Sequence, residues 1–184
     1  MKRQAKTYAF VTLACLGLIS APVACGEESP PSEYQLKAAF LFNFAKFAEW
    51  PSEAFTNATS PIVIGVLGTN RFISDLEQTV RNKTINDRLL QVREIRSLTE
   101  ATNCHILFIS RFSSESLPEI FAALRGASVL TVGDETEGFI EAGGMINLVV
   151  YEKKIRFQIN NDAARNARLK ISSKLLSLAV RPAR

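Results

Sequence analysis

The chain has 184 residues, of which 47% are hydrophobic, and its 22 Lys and Arg against 18 Asp and Glu give a formal charge of +4. Three of the basic residues lie within residues 1–26, which hold no acidic residue, so the rest of the chain is almost neutral. This balance gives no support to nucleic-acid binding, which needs a clustered basic face. One His and a single Cys beyond residue 26 exclude a zinc cluster of those ligand types.

Residues 1–26 have the layout of a secretory signal peptide: a basic start, an apolar run of about a dozen residues and then small residues. The apolar run is too short for a permanent membrane-spanning helix. We predict cleavage after Gly26, with Ala21 and Ala24 as alternative sites. Lipid attachment at Cys25 is a further alternative, although the usual Leu three positions earlier is missing. Residues 27–184 then suit one domain with a substantial core.

The first predicted helix begins after Ser32, because Ser32 and Gln35 have the spacing of a capping box. It extends to about Glu49, where Trp50-Pro51 stops it, since a residue before proline is disfavoured in a helix. Four large apolar residues share a stripe about 80° wide, which predicts the face that docks on a sheet. They are Leu36, Phe40, Phe44 and Phe47.

Phe42 points to the opposite side of this helix, where no polar face forms. We predict that Phe42, flanked by Leu41 and Ala38, lies in an interface with a second copy or with a sensor protein, because exposed apolar patches mark interaction sites. The alternative is that a helix of the same chain covers Phe42, for example the C-terminal segment 174–180.

Apolar runs and helical segments then alternate along the chain. The runs at 62–67, 105–109 and 129–132 are continuous and rich in β-branched residues, which is typical of strands buried on both faces of a parallel sheet. A less regular strand is predicted at 89–95. The predicted helices between these strands are 70–80, a short turn at 97–102, and 117–124, which Gly126 ends. This alternation predicts βαβ units with helices on both faces.

The pattern changes near the C-terminus. Segments 145–151 and 155–159 are separated only by a short charged stretch, which predicts an antiparallel hairpin. Asn160 and then Ser172 or Ser173 are predicted to cap two short helices. The predicted fold is therefore a single-domain three-layer α/β/α sandwich with a mostly parallel sheet and a C-terminal β-hairpin.

The glycine motifs indicate turns more than a ligand loop. Gly65 and Gly68 lie between a strand and a helix, but the spacing is not that of a dinucleotide or phosphate loop. Gly133 and Gly138 flank a strand end, where open α/β sheets hold ligands, although a turn is favoured. Gly143-Gly144 indicates a loop with positive φ.

The other candidate catalytic and metal-binding residues are also better explained by structural roles. Cys104 and His105 are adjacent on a strand, so their side chains diverge, and a buried Cys beside a tolerated His is favoured over a catalytic pair. Ser172-Ser173-Lys174 lacks the Ser-x-x-Lys spacing and indicates a helix cap. Four carboxylates form an acidic loop, which we interpret as solvated because calcium-loop spacing is absent; they are Asp134, Glu135, Glu137 and Glu141. No catalytic, cofactor or metal site is predicted.

Five segments in order resemble the YfiR-like family of periplasmic proteins. They are EYQLKAAFLFNFAKF at 33–47 with Trp50-Pro51, CHILFIS at 104–110, VLTVGD at 129–134, GMINL at 144–148 and LKISSKLL at 169–176. The resemblance covers nearly all of the chain beyond residue 26. The best-known member has further cysteines that form disulfides, and this chain lacks them.

The resemblance implies a small, often dimeric α/β sandwich that represses an inner-membrane diguanylate cyclase through its periplasmic sensor domain. It also implies an outer-membrane OmpA-like lipoprotein that relieves the repression. We therefore predict a periplasmic, non-enzymatic regulator of cyclic-di-GMP signalling that forms homodimers. The alternative is a periplasmic module that binds a small ligand and passes it to a membrane sensor. A hydrolase is disfavoured, because no nucleophile and base pair emerges from the sequence.

Overall fold

A computed structural model describes residues 31–68, 71–152 and 154–180. The predicted signal peptide and Cys25 lie outside these residues. The described helices are α1 (Glu33–Phe47), α2 (Arg71–Val80), α3 (Leu98–Ala101), α4 (Leu117–Ala123), α5 (Asn161–Asn166) and α6 (Ser173–Leu176), with a 3₁₀ turn at Ser52–Ala54. The described strands are β1 (Ala48–Glu49), β2 (Ile62–Leu67), β3 (Thr84–Ile85), β4 (Arg88–Ile95), β5 (Ile106–Ile109), β6 (Leu130–Asp134), β7 (Ile146–Tyr151), β8 (Lys154–Ile159) and β9 (Lys170–Ile171).

The predicted capping box at the start of α1 is present. The Ser32 hydroxyl accepts a hydrogen bond from the Gln35 amide at 3.2 Å, and the Gln35 side chain accepts one from the Ser32 amide at 2.9 Å. These two bonds satisfy donors that the first turn of a helix otherwise leaves free. The helix ends before the predicted Glu49, because Ala48–Glu49 forms β1 and pairs antiparallel with Lys170–Ile171.

The main sheet has seven strands in the described part of the chain, in the order β3-β4-β2-β5-β6-β7-β8. The five central strands, β4, β2, β5, β6 and β7, run parallel. The edge strands β3 and β8 are antiparallel to their neighbours, and β8 forms the predicted C-terminal hairpin with β7. The predicted α/β class with a mostly parallel sheet is confirmed.

Alternate residues of the central strands enter two separate cores, which explains why those strands are apolar throughout. Ile64 and Phe108 face the core that is closed by α1 and α2, whereas Val63 and Leu107 face the core that is closed by α3 and α4. Helices therefore cover both faces of the sheet, as a parallel sheet of βαβ units requires.

The buried face of α1 differs from the predicted stripe. Leu36 is 39% exposed, and Phe40 and Phe47 are only half-buried, so Phe44 alone of the four is fully enclosed. The helix instead packs on the sheet through a neighbouring stripe that combines two alanines with Lys37, Leu41 and Phe44. The buried residues of α1 are Lys37, Ala38, Leu41, Phe44 and Ala45.

This change of buried face also corrects the prediction that Leu41 and Ala38 flank Phe42 in an interface. Both side chains are fully buried under α1, so they contribute no surface beside Phe42 to a partner. The physical reason is that three large phenylalanine rings spread to the flanks of the helix, while the small and branched residues between them face the sheet.

Candidate functional site

The acidic segment at the end of β6 also departs from the sequence prediction. Asp134 is only 1% exposed, and its Oδ1 accepts a hydrogen bond from the Lys37 ammonium at 2.5 Å. Lys37 itself is completely buried. The interpretation of this loop as solvated is therefore wrong for Asp134, because the carboxylate lies in the core with a cationic partner from α1.

Three further charged side chains complete what we call the charge cluster: Glu33, Lys37, Arg111, Asp134 and Glu135. The Lys37 ammonium also donates to Glu33 at 2.5 Å and to Glu135 at 2.9 Å. The Arg111 guanidinium lies 3.0 Å from Glu33, 3.4 Å from Glu135 and 3.6 Å from Asp134. Two cations thus share three carboxylates and fasten the start of α1 to the carboxyl ends of β5 and β6.

The electrostatics of the charge cluster favour the charged forms of Lys37 and Glu33. Burial alone would lower the pKa of Lys37, but its hydrogen bonds to Asp134, Glu33 and Glu135 outweigh burial and raise the pKa. The hydrogen bond from Lys37 lowers the pKa of Glu33. Both shifts move the pKa further from neutral pH, so neither Lys37 nor Glu33 is poised to act as a general acid or base there.

The sequence held a signal for Lys37. Lys37, Leu41 and Phe44 follow the i, i+4, i+7 spacing, which puts a lysine in the middle of an apolar helix face. A lysine at such a position predicts a buried carboxylate partner. Its partner lies 97 residues away, which is why the spacing alone does not identify Asp134.

Beside the charge cluster lies what we call the apolar groove, which separates α1 from the β7–β8 hairpin. Its apolar lining consists of Leu36 and Phe40 on α1 with Val150 and Ile155 on the hairpin, and its volume is about 520 Å³. Val150 is 53% exposed, and the neighbouring Tyr151 is 59% exposed.

The rim of the apolar groove carries opposite charges, with Glu33 on α1 and Lys154 at the start of β8. Exposed apolar side chains in a polar rim are typical of surfaces that bind another protein. The sequence prediction missed this surface, because it assigned Leu36 and Phe40 to the core.

Phe42, the remaining predicted interface residue, lies on the other flank of α1. Its ring is half-buried and packs against the core, and the Lys83 ammonium lies 4.5 Å from the ring centre. In the C-terminal segment, the Lys174 ammonium lies 5.6 Å from the centre of the Phe47 ring. That Phe42 contacts a partner stays a prediction.

Cys104 and His105 have separate structural environments, as predicted. Burial raises the pKa of the Cys104 thiol to about 11, so it remains protonated and unreactive at neutral pH. His105 accepts a hydrogen bond from the Val63 amide at 3.0 Å through Nδ1, which leaves Nε2 to donate to the Ala54 carbonyl at 3.1 Å. Its ring stacks on Phe55 with centroids 4.5 Å apart. His105 therefore anchors the loop after α1.

A profile of the YfiR/HmsC-like family matches residues 34–180. The chain belongs to the YfiR/HmsC-like family. This match confirms the resemblance and covers every residue of the charge cluster except Glu33, together with most of the apolar groove. No curated protein matches the chain.

Membership of the YfiR/HmsC-like family indicates a periplasmic regulator of cyclic-di-GMP signalling that works with a membrane sensor. Within the described ranges of this YfiR/HmsC-like protein, no helix has the length and apolar character needed to span a bilayer. Across the same ranges, no three His, Cys, Asp or Glu side chains gather in a way that would hold a metal ion.

Proposed function

We propose that this YfiR/HmsC-like protein binds and represses the periplasmic sensor part of a membrane diguanylate cyclase, without catalysing a reaction itself. The family match supports a periplasmic regulator of cyclic-di-GMP signalling. The structural observation that carries the proposal is the apolar groove, whose side chains are exposed in the single chain and suited to contact with another protein.

The apolar groove offers exposed apolar side chains for a specific contact. Leu36 is 39% and Val150 53% exposed, so a partner that covers them removes apolar surface from water, which favours association. Glu33 and Lys154 carry opposite charges, so they favour one orientation of the partner.

The charge cluster supports the proposal by holding one wall of the groove in place. Glu33 lies both in the cluster and on the rim, and Lys37 follows Leu36 directly in α1. Since these ionic contacts fix α1 against the end of β6, the groove needs little rearrangement on binding. Preorganisation of this kind reduces the cost of association.

Val150→Glu tests the proposed interface. We expect the variant to fold normally, because Val150 is exposed, and to bind the purified sensor domain at least tenfold more weakly in isothermal titration calorimetry. Leu178→Glu is the matched control, since Leu178 is 60% exposed and does not line the groove. Equal affinity of Val150→Glu and wild type would refute the groove as the contact surface.

Three finer proposals follow the resemblance and the sequence. The protein forms homodimers, which light scattering of the purified protein tests.

An outer-membrane OmpA-like lipoprotein competes with the cyclase for binding, which a three-component pull-down tests. Export removes residues 1–26 as a signal peptide, and the intact mass of protein from a periplasmic extract separates this cleavage from lipid attachment at Cys25.

A further inference from the structure

A second concave surface, which we call the polar cavity, lies at the amino ends of β2, β5 and β6. It has a volume of about 460 Å³. Its buried base consists of Val63, Cys104 and Val129, each within two residues of the start of one of these strands. The apolar groove lies at the carboxyl end of β7. Because the central strands are parallel, this is the opposite end of the strands from the polar cavity, so the two sites are separate.

Two arginines line the polar cavity from different elements. Arg93 lies on β4, and Arg168 follows α5, where its backbone has a φ of 62° in the left-handed region. In the described part of the chain, neither guanidinium has a carboxylate within 4.0 Å. Their polar contacts are the Gln91 side chain at 3.1 Å for Arg93 and the Gly126 carbonyl at 3.4 Å for Arg168. Both cations thus retain donors for another group.

Ser128 supplies an independent observation in the same cavity. Its hydroxyl oxygen is buried, yet it has no hydrogen-bond partner among the described atoms. Buried polar groups without a partner are rare and cost about 1–3 kcal/mol each, so such a group calls for an explanation. A polar ligand atom in the cavity would give this hydroxyl the partner that the protein does not.

We propose that the polar cavity binds a small molecule that carries a carboxylate or phosphate group, with Arg93 and Arg168 holding the oxyanion. Guanidinium groups suit this task, because their planar set of donors matches carboxylate and phosphate oxygens in pairs. Among the described residues of the lining, Glu53 is the one acidic side chain, so two positive charges face one negative.

The size and chemistry of the polar cavity fit reversible binding of a small metabolite. Its volume lies within the range of about 300–1,000 Å³ that is usual for small-ligand sites. The Cys104 thiol in its base stays protonated, so it does not attack a ligand. The site does not depend on the proposed repression of a cyclase, since it shares no lining residue with the apolar groove.

Thermal denaturation of the full protein with sodium phosphate or with sodium citrate tests the site, at ionic strength held constant with sodium chloride. We expect a saturable rise in Tm with at least one of the two anions, and the anion that acts identifies phosphate or carboxylate as the recognised group. The variant Arg93→Gln/Arg168→Gln should keep the Tm of wild type without anion and bind at least tenfold more weakly. Arg81→Gln, an exposed arginine outside the lining, is the matched control and should bind as wild type does.

Ser128→Ala distinguishes a ligand site from a general charge effect. Without anion it should be at least as stable as wild type, because the substitution removes a buried hydroxyl that has no hydrogen-bond partner. With anion it should bind more weakly, and amide NMR signals of residues 126–129 should shift only in wild type. The proposal is overturned if neither anion raises the Tm beyond chloride, or if the double arginine variant responds as wild type does. Neither result bears on the sensor-binding experiment.

Discussion

Lys37 shows how one residue can be both buried and charged. Its ammonium contacts three carboxylates, and these outweigh the cost of removing it from water. Glu33 and Glu135 remain partly exposed, whereas Asp134 is almost completely enclosed. The carboxylate of Asp134 therefore depends most on Lys37, with only the partly exposed Arg111 as a second cation nearby.

Lys37→Met should destabilise the domain strongly. Methionine fills a similar volume but leaves Asp134 buried beside negative neighbours, and the loss of one partner from a buried ion pair costs about 3–5 kcal/mol. Urea unfolding followed by circular dichroism measures the change. The control is Lys46→Met, since Lys46 is exposed on the same helix and should change stability by less than about 0.5 kcal/mol. A cost below about 1 kcal/mol for Lys37→Met would show that the cluster does not clamp α1.

His105 makes stability depend on pH in the mildly acidic range. Burial lowers the pKa of His105, and nearby Arg88 lowers it further, against a hydrogen bond to Ala54 that raises it. The unfolded chain therefore takes up the proton first as the pH falls. The free energy of unfolding should be at its full value above about pH 6.5 and should decrease as the pH falls from there through the folded pKa.

Urea unfolding between pH 5 and 8 measures this decrease. His105→Gln keeps one donor and one acceptor but does not titrate, so its stability should vary less across that range than the stability of wild type. If both proteins lose stability equally on acidification, the dependence arises from carboxylates and not from His105.

At the scale of whole elements, β2 depends on Gly65 for its close contact with neighbouring side chains. A Cβ at this position would lie 2.5 Å from the Cys104 sulfur and 2.7 Å from Cγ1 of Ile95. Both neighbours are buried, so neither can move without disturbing the core between the sheet and α3. Gly65 is therefore required by packing and not by backbone conformation.

Gly65→Ala should cost about 1–3 kcal/mol through overpacking, as measured by urea unfolding. Cys104→Ala removes the nearer of the two atoms that clash, so the double variant should be more stable than the sum of the two single effects predicts. Coupling of at least about 0.5 kcal/mol would confirm direct contact. Simple additivity would contradict it.

The strands and helices that the sequence predicted correctly are those whose identity depends on local pattern. The runs at 62–67 and 105–109 are apolar throughout, because both faces of those strands are covered. The β3–β4 hairpin was missed, since Thr84–Ile85 is too short to show a period. Its turn relies on positive φ at Asn86 and Asp87, which is typical of two-residue hairpin turns.

The candidate site was harder to predict than the fold, because it depends on contacts between distant segments. Leu36 has the spacing of a core residue, but α1 is oriented so that Lys37 pairs with the buried Asp134 while Leu36 stays 39% exposed. The acidic loop likewise has an ordinary composition, and only its position at the end of a buried strand places Asp134 in the core. The spacing of Lys37 indicates a buried partner, but no local pattern identifies Asp134 as that partner.

At the scale of the whole molecule, the substitution Phe42→Glu tests whether the flank of α1 that carries Phe42 contacts another chain. If Phe42 lies in a homodimer or sensor interface, Phe42→Glu should keep the Tm of wild type and lose self-association or sensor binding. If its contacts within the chain dominate, the variant should melt early, since a buried unpaired charge costs several kcal/mol. Light scattering and thermal denaturation of the same sample separate the two outcomes. A variant that melts early and yields no folded monomer would refute the interface.

The contact between Lys37 and Asp134 also limits how early the chain can fold during its synthesis. The two residues are 97 positions apart, and β1 pairs with β9, which lies nearer still to the C-terminus. At about 5–20 residues per second, a ribosome adds Asp134 roughly 5–20 s after Lys37. During that interval Lys37 lacks its buried partner Asp134, with only Glu33 of the same helix as a counter-charge, and the end of β6 on which α1 packs does not yet exist. The N-terminal part of the chain therefore cannot complete its folding until most of the domain has been synthesised.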